Sequence, residues 1–247
     1  MLFTTLLSAA ALVGVSLAQT PQGFTPSVNT KLDVIFNSTV VKKPGELLTK
    51  ALTASQPQIA IANASATETF MFVMLDLDVP GQGSNATRRT LLHAMVTDFK
   101  ATTQQVLSPS VTNGKLLVSS QKGPATYIGP GPPATDTIPH RYVQLLFQQP
   151  ANLNVKATDF ANNQARFSFE INAFMKTNGI KAPVAGNFFT VDGKASGGAG
   201  GAGATGSRSA SAGLPKSTLQ PFTGAVGRTG VSVGLAGLVG GLALLGL

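Results

Sequence analysis

Thr69-Phe70-Met71-Phe72-Val73-Met74-Leu75 runs straight into Asp76-Leu77-Asp78-Val79-Pro80-Gly81. Six consecutive apolar side chains from Phe70 leave neither face of an extended segment polar, so this stretch predicts a central strand covered on both sides. Pro80-Gly81 then predicts a tight turn. Side chains alternate with period two along a strand, which puts Asp76 and Asp78 on one side of its end. Taken alone, two acids ahead of a Pro-Gly turn read as turn caps.

Working outward, Leu91 to Val96, Tyr142 to Phe147 and Asn187 to Val191 have the same short, apolar, strand-like character. From Glu170 to Asn178, Ile171, Phe174 and Met175 recur at helical spacing, with Gly179 placed to end the helix before Pro183. A short helical turn is expected near Gly45 to Ala54. No internal repeat is visible. The pattern is a mainly β domain with one late helix.

The chain has two histidines, and both lie in segments of unusual composition. His93 interrupts the apolar strand Leu91 to Val96, and His140 follows the rigid stretch Gly129-Pro130-Gly131-Pro132-Pro133. A lone histidine in an apolar strand is usually a satisfied core residue. Two of them beside two carboxylates form a candidate polar site in an otherwise apolar wall.

The formal net charge is +8, but the basic residues are scattered and the doublets are Lys42-Lys43 and Arg88-Arg89. Without a basic helix or an aromatic-interleaved stripe, nucleic acid is not an expected partner. There is no cysteine, so the domain relies on its core instead of cross-links, which is feasible at this length.

The ends carry targeting signals. Residues 1–18 form an uncharged apolar run closed by Ser16-Leu17-Ala18, the pattern of a secretory signal peptide. Residues 230–247 are again uncharged and apolar, with six glycines and no basic cluster after them. They follow a Gly/Ser/Ala-rich linker and attachment region, residues 195–229. Small residues, a polar spacer and an apolar tail predict a GPI anchor, with Ser211, Gly213, Ser217 or Gly224 as attachment sites. A C-terminal transmembrane helix is the alternative. Residues 19–194 are left as one domain, expected at the outer face of the plasma membrane or in the cell wall. Sequons at Asn37, Asn63 and Asn85 agree with a glycosylating secretory route.

Four motifs in order resemble the phosphatidylethanolamine-binding protein family. Asp-Leu-Asp-Val-Pro at 76–80 is similar to its DPDxP motif, and Leu-His-Ala-Met-Val-Thr-Asp at 92–98 to its LHWLVTD strand. Tyr127 to Pro133 followed by His140-Arg141-Tyr142-Val143 resembles YxGPxPP…HRYV, and Pro183 to Phe189 resembles PVAxxFF, with Arg166, Phe169 and Phe174 matching the closing helix. The resemblance implies a large antiparallel sheet packed with a smaller one and few peripheral helices. It also implies a ligand pocket formed by Asp76, His93 and His140, with Asp78, Pro132, Pro133 and Tyr142 in its wall. Leu77 replaces the family's first proline, and Leu91 stands where many members carry an aromatic residue, which removes a flat wall from the pocket.

The residues themselves suggest how such a pocket works. Phosphate needs donors with few competing charges, and imidazole N–H groups supply them. The carboxylates are expected to accept from one ring nitrogen of each histidine, leaving the other to face the ligand, or to meet an ethanolamine ammonium. The expected function is therefore a secreted or cell-surface binding protein for a small anion or phospholipid headgroup. The alternative is a protein-interaction module such as an inhibitor of an extracellular protease or a signalling adaptor. A metal-dependent hydrolase ranks below both, because no GxSxG, HExxH or Gly-rich phosphate loop occurs. No cofactor, metal or catalytic residue is assigned.

Overall fold

The computed structural model describes residues 18–81, 83, 87–106 and 114–194. The expected signal peptide apart from Ala18, Asn85 of the third sequon, and the expected linker and C-terminal tail lie outside the described residues. Ten strands follow one another: β1 (Asp33–Phe36), β2 (Thr39–Val40), β3 (Glu46–Leu48), β4 (Gln58–Ala62), β5 (Phe70–Val79), β6 (Arg89–Gln105), β7 (Gly114–Val118), β8 (Pro124–Ala125), β9 (His140–Gln148) and β10 (Ala185–Val191). Two 3₁₀ turns, Ala157–Phe160 and Asn163–Arg166, and the helix α1 (Ile171–Thr177) separate β9 from β10.

The strands run β2-β1-β4-β7-β6-β5-β9-β10-β3 across one curled sheet, with β8 paired beside β6. The long β6 belongs to both halves of the curl. Its first part pairs with β5, and from Lys100 it pairs with β7. The changeover follows Asp98, which takes a positive φ of 61°. Gln149 holds the bend by exchanging two 2.8 Å hydrogen bonds with Asp98, one to its backbone N–H and one to its carboxylate. A bulge of this kind lets one strand leave a sheet and enter another. The large sheet is antiparallel as expected except at its edge, where β3 runs parallel to β10.

β5 lies between β6 and β9, the central position its apolar run predicts. Alternation sorts its side chains into two layers. Phe70, Phe72 and Met74 face the interior of the curl with Tyr142, Leu146 and Phe189, opposite Val34, Ile59 and Leu117 of the other half. Met71, Val73 and Leu75 face outward beneath Phe160, Ile171 and Ile180. The strand continues through Asp76 to Val79 instead of stopping at Asp76.

The late helix is shorter at each end than its periodic pattern, with Glu170 and Asn178 as caps and Gly179 just beyond at φ 63°. That left-handed conformation suits glycine. The expected helical turn near Gly45 to Ala54 divides in two. Glu46–Leu48 is the edge strand β3, drawn into β10's ladder, and a single turn follows in which Thr53 N–H donates to Thr49 O at 3.2 Å. Among the described residues, no helix is long and apolar enough to cross a membrane.

Candidate functional site

Asp76 lies on β5 opposite Tyr142 of β9 on one side and Leu91 of β6 on the other, so its carboxylate sits where the three central strands meet. His140 begins β9. Its Nδ1–H donates to Asp76 Oδ2 at 2.8 Å, and its Nε2–H donates to Asp136 Oδ2 at 2.8 Å. Two donors on one ring require the imidazolium form. Burial opposes that charge, but the hydrogen bonds and charges of Asp76 and Asp136 outweigh it, and the pKa of His140 lies above the ordinary histidine value.

Asp136 is buried yet fully engaged. Arg88 reaches it with two N–H donors, at 2.6 and 2.8 Å, and a third Arg88 bond goes to the Asp78 carbonyl oxygen. Arg88 and His140 together hold the Asp136 carboxyl well below the usual carboxylate range. The result is a row of alternating charge from Arg88 through Asp136 and His140 to Asp76.

Asp78 is drawn elsewhere. Arg141 donates its backbone N–H, its Nε–H and an Nη2–H to this carboxylate, each at 2.8 Å. Burial works against the charge of Asp78, but Arg141 prevails and keeps its pKa below the ordinary value. The expected pairing of Asp76 and Asp78 on one face is therefore not what the fold builds. A register shift between Asp76 and Val79 and a 2.8 Å bond from Asp78 N–H to Asp76 Oδ1 kink the strand. The two acids go to successive residues of β9.

His93 lies buried on β6. Its Nδ1–H donates to Ile128 O at 2.7 Å, while Ile128 N–H donates back to His93 O at 2.8 Å. Its Nε2 is buried with no hydrogen-bond partner, 3.9 Å from Asp76 Oδ2. Burial lowers the pKa of His93, and the charges of Arg166 and His140 add to that against the pull of Ile128 O and Asp76. Tyr142 packs edge-on to His93, with ring centroids 5.2 Å apart, and stacks between His140 and Phe189. Burial, then the neighbouring Asp76, push its phenol far up and keep it protonated.

These groups line one cavity of about 260 Å³, with Val79, Pro80, Leu91, Ile128, Gly129, Gly131, Pro133 and Phe167 completing the wall. Asp76, His93, Pro133, His140 and Tyr142 are thus brought together, and Asp78 and Pro132 are not among the lining residues. The proline-rich rim is pinned from below. Tyr127 donates its hydroxyl to Thr53 O at 2.6 Å, and a β-carbon at Gly193 would fall 1.9 Å from Pro133 O, so only glycine allows that approach. Leu91 lines the cavity as an aliphatic residue, but an aromatic wall is present after all. Phe167 forms an isolated bridge to Leu91, and Arg89 lies 4.9 Å over its ring.

Arg88, Asp136, Phe167 and Arg166 were not assigned to the pocket from the sequence. Asp136 left a faint trace, an acid four residues before His140 between Pro133 and Pro139. Arg166 is buried and donates to Thr126 O at 2.7 Å. Among the described residues no carboxylate lies within ion-pair distance of it. Arg88, Arg141, His140 and Arg166 therefore face three carboxylates, which leaves the neighbourhood with an excess positive charge. No group of three or more potential ligands close enough to hold a metal ion occurs among the described residues. Of the sequons, Asn37 sits exposed in the β1–β2 turn and Asn63 exposed just after β4.

Comparison with known proteins agrees with this architecture. A curated relative, the phomoidride biosynthesis cluster protein N of Talaromyces stipitatus, is 34% identical over 202 residues, 76% of this chain and 95% of the relative. The structure of a carboxypeptidase Y inhibitor complexed with its cognate proteinase matches at TM-score 0.50 and 22% identity, over 67% of this chain and 84% of that one. A phosphatidylethanolamine-binding protein from Plasmodium falciparum matches at TM-score 0.39 and 18% identity, over 65% and 84%. The family model for phosphatidylethanolamine-binding proteins matches residues 37–189, which cover the whole cavity, and the chain belongs to that family.

Proposed function

We propose that this chain is a secreted, GPI-anchored binding protein whose cavity takes a small oxyanion, free or as the phosphate of a phospholipid headgroup. The observation that carries the reading is the combination of excess positive charge with a polar floor in an otherwise apolar hollow. The three nearby carboxylates are neutralised by Arg88, Arg141 and His140, and Arg166 adds a buried charge that no acid among the described residues balances. A volume of about 260 Å³ suits a headgroup-sized ligand better than a drug-sized one. Soaking crystals with phosphoethanolamine tests it: density is expected against His93 in the wild type and not in His93→Ala. An empty cavity in both defeats the reading.

On this reading the chain binds its ligand without turning it over. A relative named for a biosynthetic cluster sets the opposing expectation. Slow chemical conversion of a bound small acid, lost in His93→Ala, would favour catalysis.

A second reading, inhibition of an extracellular protease, is favoured by the fold shared with the carboxypeptidase Y inhibitor. Its test is a titration of carboxypeptidase Y activity with the purified domain. Inhibition that survives His93→Ala would place the contact outside the cavity.

A further inference from the structure

Ile128 holds His93 from two directions, and this fixes where the imidazole can carry a proton. A carbonyl oxygen only accepts, so the 2.7 Å contact assigns a hydrogen to Nδ1. The remaining nitrogen, Nε2, is buried without a hydrogen-bond partner on a ring that lines the cavity. In the neutral ring that nitrogen is a lone pair and repels an oxyanion. It becomes a donor only when the ring takes a second proton.

The groups around His93 decide when that happens. Asp76 on β5 lies 3.9 Å away, but its Oδ2 already accepts from His140 and its Oδ1 from Asp78 N–H. From β9 come the His140 imidazolium and the neutral Tyr142 phenol. The 3₁₀ turn Asn163–Arg166 contributes the buried Arg166. The segment after β8 contributes Tyr127, whose hydroxyl is engaged by Thr53. Burial comes first and the only uncommitted charge of this set is positive, so these protein groups by themselves keep His93 neutral at pH 7. A bound anion supplies the missing counter-charge and reverses the balance.

We propose that His93 Nε2 is the proton acceptor of this site, so that an oxyanion binds together with one proton and not alone. The proposal rests on the oxyanion reading above and defines its ligand class. An oxyacid bearing a P–OH or carboxylic O–H delivers the proton itself: its O–H bond breaks, the Nε2–H bond forms, and an imidazolium–anion pair results. A fully ionised anion has to draw the proton from a buffer acid. An acid that reaches the site still protonated needs no proton from the buffer, whereas an anion ionised in solution at that pH, sulfate, phosphodiester or carboxylate alike, takes one up.

Sulfate, which carries no proton near neutrality, is the probe. Titration calorimetry of the folded domain at pH 7.5, in buffers of different ionisation enthalpy, is expected to show close to one proton taken up per sulfate. Affinity should fall about tenfold per pH unit between 7 and 8.5. Nitrogen-15 NMR should show His93 neutral with its proton on Nδ1 in the free protein, and doubly protonated at saturating sulfate. His93→Gln, whose amide donates without titrating, should lose both the proton uptake and the pH dependence. Sulfate binding with no proton uptake and a neutral His93 overturns the proposal and leaves the oxyanion reading standing. Failure to bind sulfate at any pH from 5.5 to 8.5 overturns both.

Discussion

The β9 side of the cavity and its β6 side each present a buried histidine, and the two have opposite fates. His140 donates from both nitrogens to carboxylates and is held as a cation. His93 donates from one nitrogen to a carbonyl and leaves the other open. The same side chain is a fully engaged cation in one place and, on the proposal above, the group that titrates with the ligand in the other. What separates them is the supply of carboxylate: Asp136 completes the shell of His140, and nothing equivalent reaches His93.

The most disruptive way to break this contrast is His140→Ala, which strands Asp76 as a buried charge and leaves Asp136 with Arg88 alone. A loss of about 3–5 kcal/mol in urea-unfolding stability is expected. A cost below about 1 kcal/mol would show that the row of charges contributes little. Asp136→Asn is milder, because Arg88 keeps one acceptor and His140 keeps Asp76. It should cost about 2–3 kcal/mol, and the NMR titration of His140 should move down toward the ordinary histidine value. An unmoved His140 would mean that Asp76 alone sets its charge.

The pH profile of stability sharpens the comparison further, because the two shifts have opposite signs. The folded pKa of His140 is raised, so its contribution is complete below the unfolded value of about 6.5 and is lost as pH climbs through the folded pKa. The folded pKa of His93 is lowered, so its contribution is complete above about 6.5 and is lost as pH falls toward the folded pKa. Urea midpoints should therefore peak near pH 6.5, with each limb sloping by at most ~1.4 kcal/mol per pH unit. His93→Gln should flatten the acid limb down to the range where carboxylates such as Asp136 begin to protonate. A profile that stays peaked in that variant assigns the acid limb to other groups.

The smallest effect concerns a polar side chain that no network serves. Gln144 of β9 is fully buried, lies opposite Asn187 of β10, and has no hydrogen-bond partner at either amide atom. Gln144→Met should be neutral or stabilising by up to about 1 kcal/mol in the same assay, since an unmet amide carries a desolvation penalty that a thioether does not. Clear destabilisation would reveal a hidden polar partner between the sheets.

Much of the fold was legible because its signals are local. The run from Phe70 to Leu75 has no polar face, which forces it to the centre, and Gly179 and Pro183 mark where the late helix must end. The edge strand Glu46–Leu48 was not legible, because three residues carry no usable period and their ladder is supplied by β10 from 143 residues away. The site divides along the same line. His93 and His140 stood out as polar residues in apolar or proline-rich settings, whereas Arg88 and Phe167 look in sequence like any surface residue and Arg166 carries no sign of facing the pocket.

By itself, the sequence determined that a buried strand ends in acids, that two histidines lie in unusual company, and that a stiff Gly-Pro segment stands nearby. Only the tertiary structure decided which acid serves which histidine. A one-residue shift at the Asp76–Val79 kink sends Asp78 to Arg141, and a loop acid, Asp136, takes the place beside His140. Hydrogen bonding is directional and acts over about 3 Å. Partner choice therefore depends on where side chains finally point, which no spacing along the chain encodes.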